Sequence, residues 1–282
     1  MRTWKRQGIR AFLPVLLAAW LATGCSRPAV ESEVDLLIRG GRLLDMSSEQ
    51  PNVRPLKGIV VSSGKIDRII VSDSGEELPP AREVIDAGTN IVMPGLIDAH
   101  IHFRPWVPEP ALHYGVTTIF DTGPCGADCG DDPNGFIIGH ARAVNAPNAA
   151  GPTMYYTGMK LDGADGIEAV EVYRVQSLEE IPEKIDWLLG LGASGIKVEE
   201  NLPPEFRGKI VEEANQRGLP VVGHSKDARE SISVGMKFIE HMDPIWAVIA
   251  KDAREDPIGV RIAAAVCNES RNSASCRNPH AQ

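Results

Sequence analysis

No basic stripe runs through this 282-residue sequence, and its formal net charge of −9 is spread along the chain without an acidic tail. That argues against a nucleic-acid partner, because neutralising a phosphate backbone calls for clustered lysine and arginine. Low-complexity tracts are absent too. With hydrophobic residues at 43% and charged residues at 24%, the chain belongs with globular proteins rather than disordered ones. Cysteine is scarce, at five residues. Cys125 and Cys129 share the Gly/Asp-rich loop PCGADCGDD, where no second cysteine pair or nearby histidine completes a zinc set, so a local disulfide is the favoured reading over a metal site. Cys267 and Cys276 fall in a polar tail and suggest no role. The length suits one large domain, or one of ordinary size with a small companion.

The apolar stretch Ala11 to Thr23 covers 13 residues, too short to cross a bilayer as a helix. Preceded by Arg2, Lys5, Arg6 and Arg10, it has the form of a signal peptide over residues 1–25. Its end, Leu21-Ala22-Thr23-Gly24-Cys25, resembles the lipobox of bacterial lipoproteins, in which the cysteine is acylated and becomes the first residue after cleavage. Ala22 stands where leucine is usual, and cleavage as an ordinary secreted protein is the alternative. The resemblance implies an exported protein tethered to a membrane through lipid on Cys25, without spanning it, with residues 26–33 as a linker.

From residue 34 to 91 the pattern is that of short strands. VDLLIRGGRLLD suggests a hairpin about Gly40-Gly41, GIVVSSGKIDRIIV a second about Ser63-Gly64, and EVIDAGTNIVMPG a third about Ala87-Gly88. A small antiparallel β region is expected, too small to stand alone. After Pro94 the rhythm changes to alternating strands and helices. Strands are expected at Val92 to Ala99, Val116 to Asp121, Thr153 to Thr157, Gly195 to Val198, Leu219 to Gly223 and Lys237 to Glu240. Helices are expected at Ser177 to Leu191, opened by a Ser177-x-x-Glu180 capping box, and at Pro204 to Arg217. Repeated βα units indicate an α/β fold with a parallel sheet, and their number favours a barrel, whose reactive groups sit at the C-terminal strand ends.

Histidines gather at those ends. His100 and His102 close the first barrel strand, and side chains two residues apart on a strand point the same way, so both imidazoles can serve one metal ion. An HxH pair alone is weak evidence. His224, however, ends LPVVGH and His241 ends MKFIEH, and four histidines at three strand ends are hard to ascribe to packing. His113, His140 and His280 lack this placement. Imidazole is a good zinc ligand, and an open coordination position lowers the pKa of bound water towards 7. Lys197 ends GASGIKV at another strand end. It could snorkel to solvent; beside metal it must stay apart or lose its charge, and a neutral amine that captures carbon dioxide becomes a carbamate able to bridge two ions.

The run Pro94-Gly95-Leu96-Ile97-Asp98-Ala99-His100-Ile101-His102, then Gly115-Val116-Thr117-Thr118, Ile196-Lys197-Val198, His224 and Glu240-His241, resembles the amidohydrolase superfamily of metal-dependent hydrolases. The segment before it, GKIDRII…VIDAGTNIVMPG, is similar to that superfamily's small β-sandwich. The likeness covers Val34 to Asp243. It implies a distorted (β/α)8 barrel preceded by a β-sandwich segment, with two divalent ions, zinc expected. His100 and His102 would bind the more buried ion, His224 and His241 the more exposed one, and a carboxylated Lys197 would bridge them. A bridging hydroxide would attack an amide or related carbonyl of a small or peptide-like substrate.

The family also requires an aspartate at the eighth strand end to move the proton. Asp243, Asp252 and Asp256 follow the sixth strand too closely for that role, and Ile91 to Gln282 supplies fewer residues than the roughly 250 such a barrel takes. The expectation is an incomplete barrel over residues 92–260, a polar tail over 261–282, exposed strand edges and impaired turnover. The competing reading is a non-catalytic exported protein that binds metal or another ligand. A metal-independent isomerase or lyase would need an acid/base set at the strand ends, and none is as well placed as the histidines. Substrate and oligomeric state are not legible.

Overall fold

The computed structural model describes residues 33–123 and 129–253. The expected signal peptide with Cys25, Cys125, Cys267, Cys276 and the tail over 261–282 lie outside the described residues. Among those residues, no helix is long and apolar enough to cross a membrane. The chain divides into two units, one ending at Pro94 and the other beginning at Gly95.

The first unit is a four-stranded sheet of order β3-β2-β1-β4, made of β1 (Val34–Asp45), β2 (Asn52–Ser62), β3 (Lys65–Val71) and β4 (Ala81–Val92). The expected turn at Ser63-Gly64 is present: Ser62 pairs with Lys65 across it, and both turn residues have positive φ, the conformation of a tight type I′ connection. The other two expected hairpins are corrected. Gly40-Gly41 lies inside β1, where the pairing with β4 shifts register, and Ala87-Gly88 lies inside β4. Paired glycines serve an irregular, bulged strand as readily as a turn. The expected all-antiparallel region is corrected as well, since β1 and β4 run parallel. Leu37, Val60 and Ile70 form one small core, and Leu43, Leu56 and Ile59 another.

The second unit is mixed α/β with parallel sheets. β5 (Leu96–Ile101), β6 (Val116–Asp121) and β7 (Thr153–Tyr156) form one. The other has the order β12-β11-β10-β8-β9, from β8 (Lys160–Gly163), β9 (Val172–Val175), β10 (Ile196–Val198), β11 (Val221–Gly223) and β12 (Phe238–Ile239). The carbonyl of Tyr156 at the end of β7 accepts the Ser194 N–H just before β10, tying the two sheets together. Six strands were expected here; β8 and β9, four residues each, are additional and too short to leave a periodicity.

Six helices, α1 (Pro108–His113), α2 (Pro133–Val144), α3 (Ile181–Gly190), α4 (Pro204–Gln216), α5 (Ala228–Ser233) and α6 (Asp243–Ala253), complete the described chain. α3 begins later than the sequence suggests. Glu180 does reach back to the Ser177 N–H, at 2.9 Å, but Glu180 is itself the N-cap, with a proline following in the first turn where its missing N–H costs nothing. One face of α3 (Ile181, Ile185, Leu188) and one of α4 (Ile210, Val211, Ala214) pack with Leu161, Ile196 and Val198 of the sheet into the largest core. β10 and β11 are buried throughout, so apart from Lys197 their residues are apolar or glycine.

Ile210→Ala, inside this core, is expected to lower unfolding stability by about 2–5 kcal/mol, whereas Ile232→Ala, at an exposed position, should change it by less than about 0.5 kcal/mol. Urea unfolding followed by circular dichroism measures both, and equal losses would contradict this placement of the core.

Candidate metal centre

The five residues singled out in the sequence converge in the second unit. His100 lies in β5 and His102 one residue beyond it; Lys197 is in β10; His224 and His241 follow β11 and β12. Ring centroids are 5.5 Å apart for His100 and His102, 5.1 Å for His100 and His241, and 5.0 Å for His224 and His241. His241 Nε2 stands 3.2 Å from His224 Nε2. The desolvation of burial together with the Lys197 charge presses His100 down to about 4. Burial also lowers His102 and His241. Neutral rings at neutral pH are what a metal requires of histidine.

Backbone geometry explains the convergence. A side chain built at Gly223 would meet the Val198 carbonyl oxygen at 2.0 Å, so only glycine lets β11 lie this close to β10. The next residue's N–H then bonds that same carbonyl at 3.0 Å and directs His224 over the strand ends. Arg207 of α4, itself buried, donates to the carbonyls of His224 at 2.8 Å and Glu199 at 3.2 Å, satisfying acceptors that would otherwise be orphaned. His241 has φ +62°, an uncommon conformation for a residue with a side chain and one that gathers at functional sites.

Four carboxylates or amines that the sequence did not single out surround the histidines. Glu199, two residues after Lys197, accepts from His224 Nδ1 at 2.5 Å and lies 3.7 Å from Lys160 Nζ. Burial by itself would raise its carboxyl; the His224 bond and the charges of His224, Lys197 and Lys160 outweigh that and hold it below its usual range. Asp121, at the end of β6, accepts the N–H groups of Phe103 at 2.7 Å and Gly123 at 2.8 Å, and the Gly123 carbonyl lies 3.1 Å from His102 Nδ1. These contacts hold the ring nitrogens nearer the backbone and leave Nε2 of His102 free for a ligand, the usual way a protein orients a metal-binding imidazole. Glu240, beside His241, completes the set.

The residues present suit a cation. His100, Glu240 and His241 offer three donor atoms within 4.8 Å of one another. Both Glu240 oxygens and Lys197 Nζ are buried without a hydrogen bond, although the lysine ammonium and the carboxylate are in contact as an ion pair. Desolvation lowers Lys197 to about 8, against the opposing pull of Glu199, so its ammonium gives up a proton more easily than that of an exposed lysine. Cys129, in the loop after β6, is buried and disulfide-bonded.

No family model matches the chain. A dihydroorotase from Geobacter sulfurreducens is 29% identical over 202 residues, covering 69% of this chain and 43% of its own. An adenine deaminase from Paracoccus denitrificans is 30% identical over 116 residues, covering 35% of this chain and 19% of its own. The fold is similar to that of a crystal structure of a prolidase complexed with N-methylphosphonate-L-proline, 20% identical with a TM-score of 0.57, over 73% of this chain and 60% of the other. The present chain spans less than half the length of these dihydroorotase and adenine deaminase sequences.

Asp121 generates a pH dependence. Burial raises its carboxyl from the ordinary 3.8 to about 7 despite the two N–H bonds. A folded value above the unfolded one means that the group's contribution is fully present below about pH 4 and fades as pH rises through 7, at up to about 1.4 kcal/mol per pH unit. Between pH 5 and pH 8, Asp121→Asn should therefore lose less stability than the parent chain. Urea unfolding of chelator-treated protein at the two pH values checks this; an unchanged difference would refute it.

Proposed function

We propose that this chain is a metal-dependent hydrolase of a C–N bond, an amide or cyclic amide of a small or peptide-like substrate, carried on strands and helices of a (β/α)8-type barrel preceded by a small β-sandwich segment. The observation that carries the proposal is the meeting of four imidazoles from three strand ends around one buried lysine. His100 and His102 would hold one ion and His224 and His241 the other, with a carboxylated Lys197 between them; zinc suits this donor set. The dihydroorotase and adenine deaminase relatives support the same class of reaction.

Bound there, a divalent ion would polarise a carbonyl and lower the pKa of a bound water. The chain's own residues prepare for it. The backbone carbonyl of Gly123 fixes His102, and Glu199 fixes His224. Burial presses the protonation of His100, His102 and His241 down, so these rings are available as ligands without first losing a proton. For Lys197 to become a carbamate, its ammonium must release one proton; the free amine then forms an N–C bond to carbon dioxide and loses a second, leaving a carboxylate on nitrogen. Its lowered pKa makes the first of these losses easier.

Elemental analysis of the purified full chain should find about two zinc ions per molecule, and His100→Ala should remove at least one of them. Release of product from a panel of cyclic amides and dipeptides should depend on added metal. Metal binding with no hydrolysis would favour a non-catalytic metal-binding protein, and no metal above trace would overturn the proposal.

The amino-terminal sequence supports export with a lipid anchor on Cys25. In a bacterial host, the chain is expected to take up labelled fatty acid and to sediment with membranes, and Cys25→Ser should abolish the labelling. An unlabelled parent chain would refute the anchor.

A further inference from the structure

Glu240 stands out among the buried acids because the Lys197 ammonium is its one close cation and touches a single carboxylate oxygen, Oε2. Its side chain is 4% exposed, and neither carboxylate oxygen has a hydrogen bond. A buried carboxylate left in that condition is costly unless a cation meets it. Oε1 lies 3.7 Å from His100 Nδ1 and Oε2 3.5 Å from His224 Nε2, so the carboxylate stands between imidazoles of both expected ion pairs. Successive residues of a regular strand face opposite ways. The left-handed φ of His241 breaks that alternation, and Glu240 and His241 both contribute to the group of donors shared with His100.

We propose that Glu240 is itself a metal ligand, supplying a carboxylate oxygen to the metal centre where His100 and His241 come together, and that Lys197 occupies this oxygen only when metal is absent. An ammonium and a dication compete for one carboxylate, so loading releases Nζ from Glu240. The inference rests on the metal-centre reading above, and it adds an anionic ligand to the four histidines and the lysine.

Cobalt(II) titration of the chelator-treated full chain, followed by visible absorption and by competition with a chelator, tests it. Glu240→Gln should weaken cobalt binding on the order of tenfold or more and change the absorption bands of the bound ion. Because this variant leaves the Lys197 ammonium unpaired and could misfold, the decisive comparison is Lys197→Met against the double variant Lys197→Met/Glu240→Gln, with circular dichroism as the check on folding. There too the proposal expects a loss on the order of tenfold or more on removing Glu240, with altered bands. Equal affinity and identical spectra in that pair, while His100→Ala abolishes binding, would overturn the role of Glu240 and leave the metal centre standing. Failure of the parent chain to bind cobalt at all would overturn both.

Discussion

A lysine ammonium and a glutamate carboxylate, both withdrawn from water at the ends of β10 and β12, impose the constraint on which the second unit depends. Isolated charges at such depth would be ruinous, and the pair offsets only part of the cost. The surroundings supply the rest: His100, His102 and His241, whose protonation burial and the lysine's charge suppress, and Glu199, held ionised by His224 and two amines. Such a cluster suits positively charged guests.

Placing that cluster demands a rigid floor. The approach of β11 to β10 that Gly223 permits, the Arg207 guanidinium across two strand-end carbonyls, and the Asp121 carboxylate gathering the N–H groups of Phe103 and Gly123 are three separate devices. Each converts the end of a parallel strand, where backbone groups would otherwise lie open, into a fixed mount for a side chain. The apolar faces of α3 and α4 hold the floor from below. Packing, backbone satisfaction and site geometry are therefore one problem here, and a change at Gly223 or Arg207 should be felt at His224 before it is felt elsewhere.

Legibility in the sequence followed the strength of local signals. Val116 to Asp121 could be bounded to the residue because its apolar run is flanked by turn residues. The Gly40-Gly41 and Ala87-Gly88 pairs misled, because a glycine pair fits a bulged strand and a turn equally well. The short β8 and β9 left no period to detect. The histidines were conspicuous through rarity, at seven in the chain, whereas Glu199, Glu240 and Asp121 were hidden among 38 acidic residues.

What the sequence determined by itself was the order of chemistry along the chain: apolar strands ending in His100, His102, Lys197, His224 and His241, in an α/β rhythm that forces such ends to one side of a parallel sheet. That much follows from periodicity and the right-handed βα connection. The tertiary structure alone decided which acids join them. Whether a carboxylate is buried, whom it meets and whether it keeps its charge depend on contacts between residues far apart in the chain, as with Glu240 against Lys197 and His100, and on a left-handed turn of the backbone at His241 that no local pattern announces.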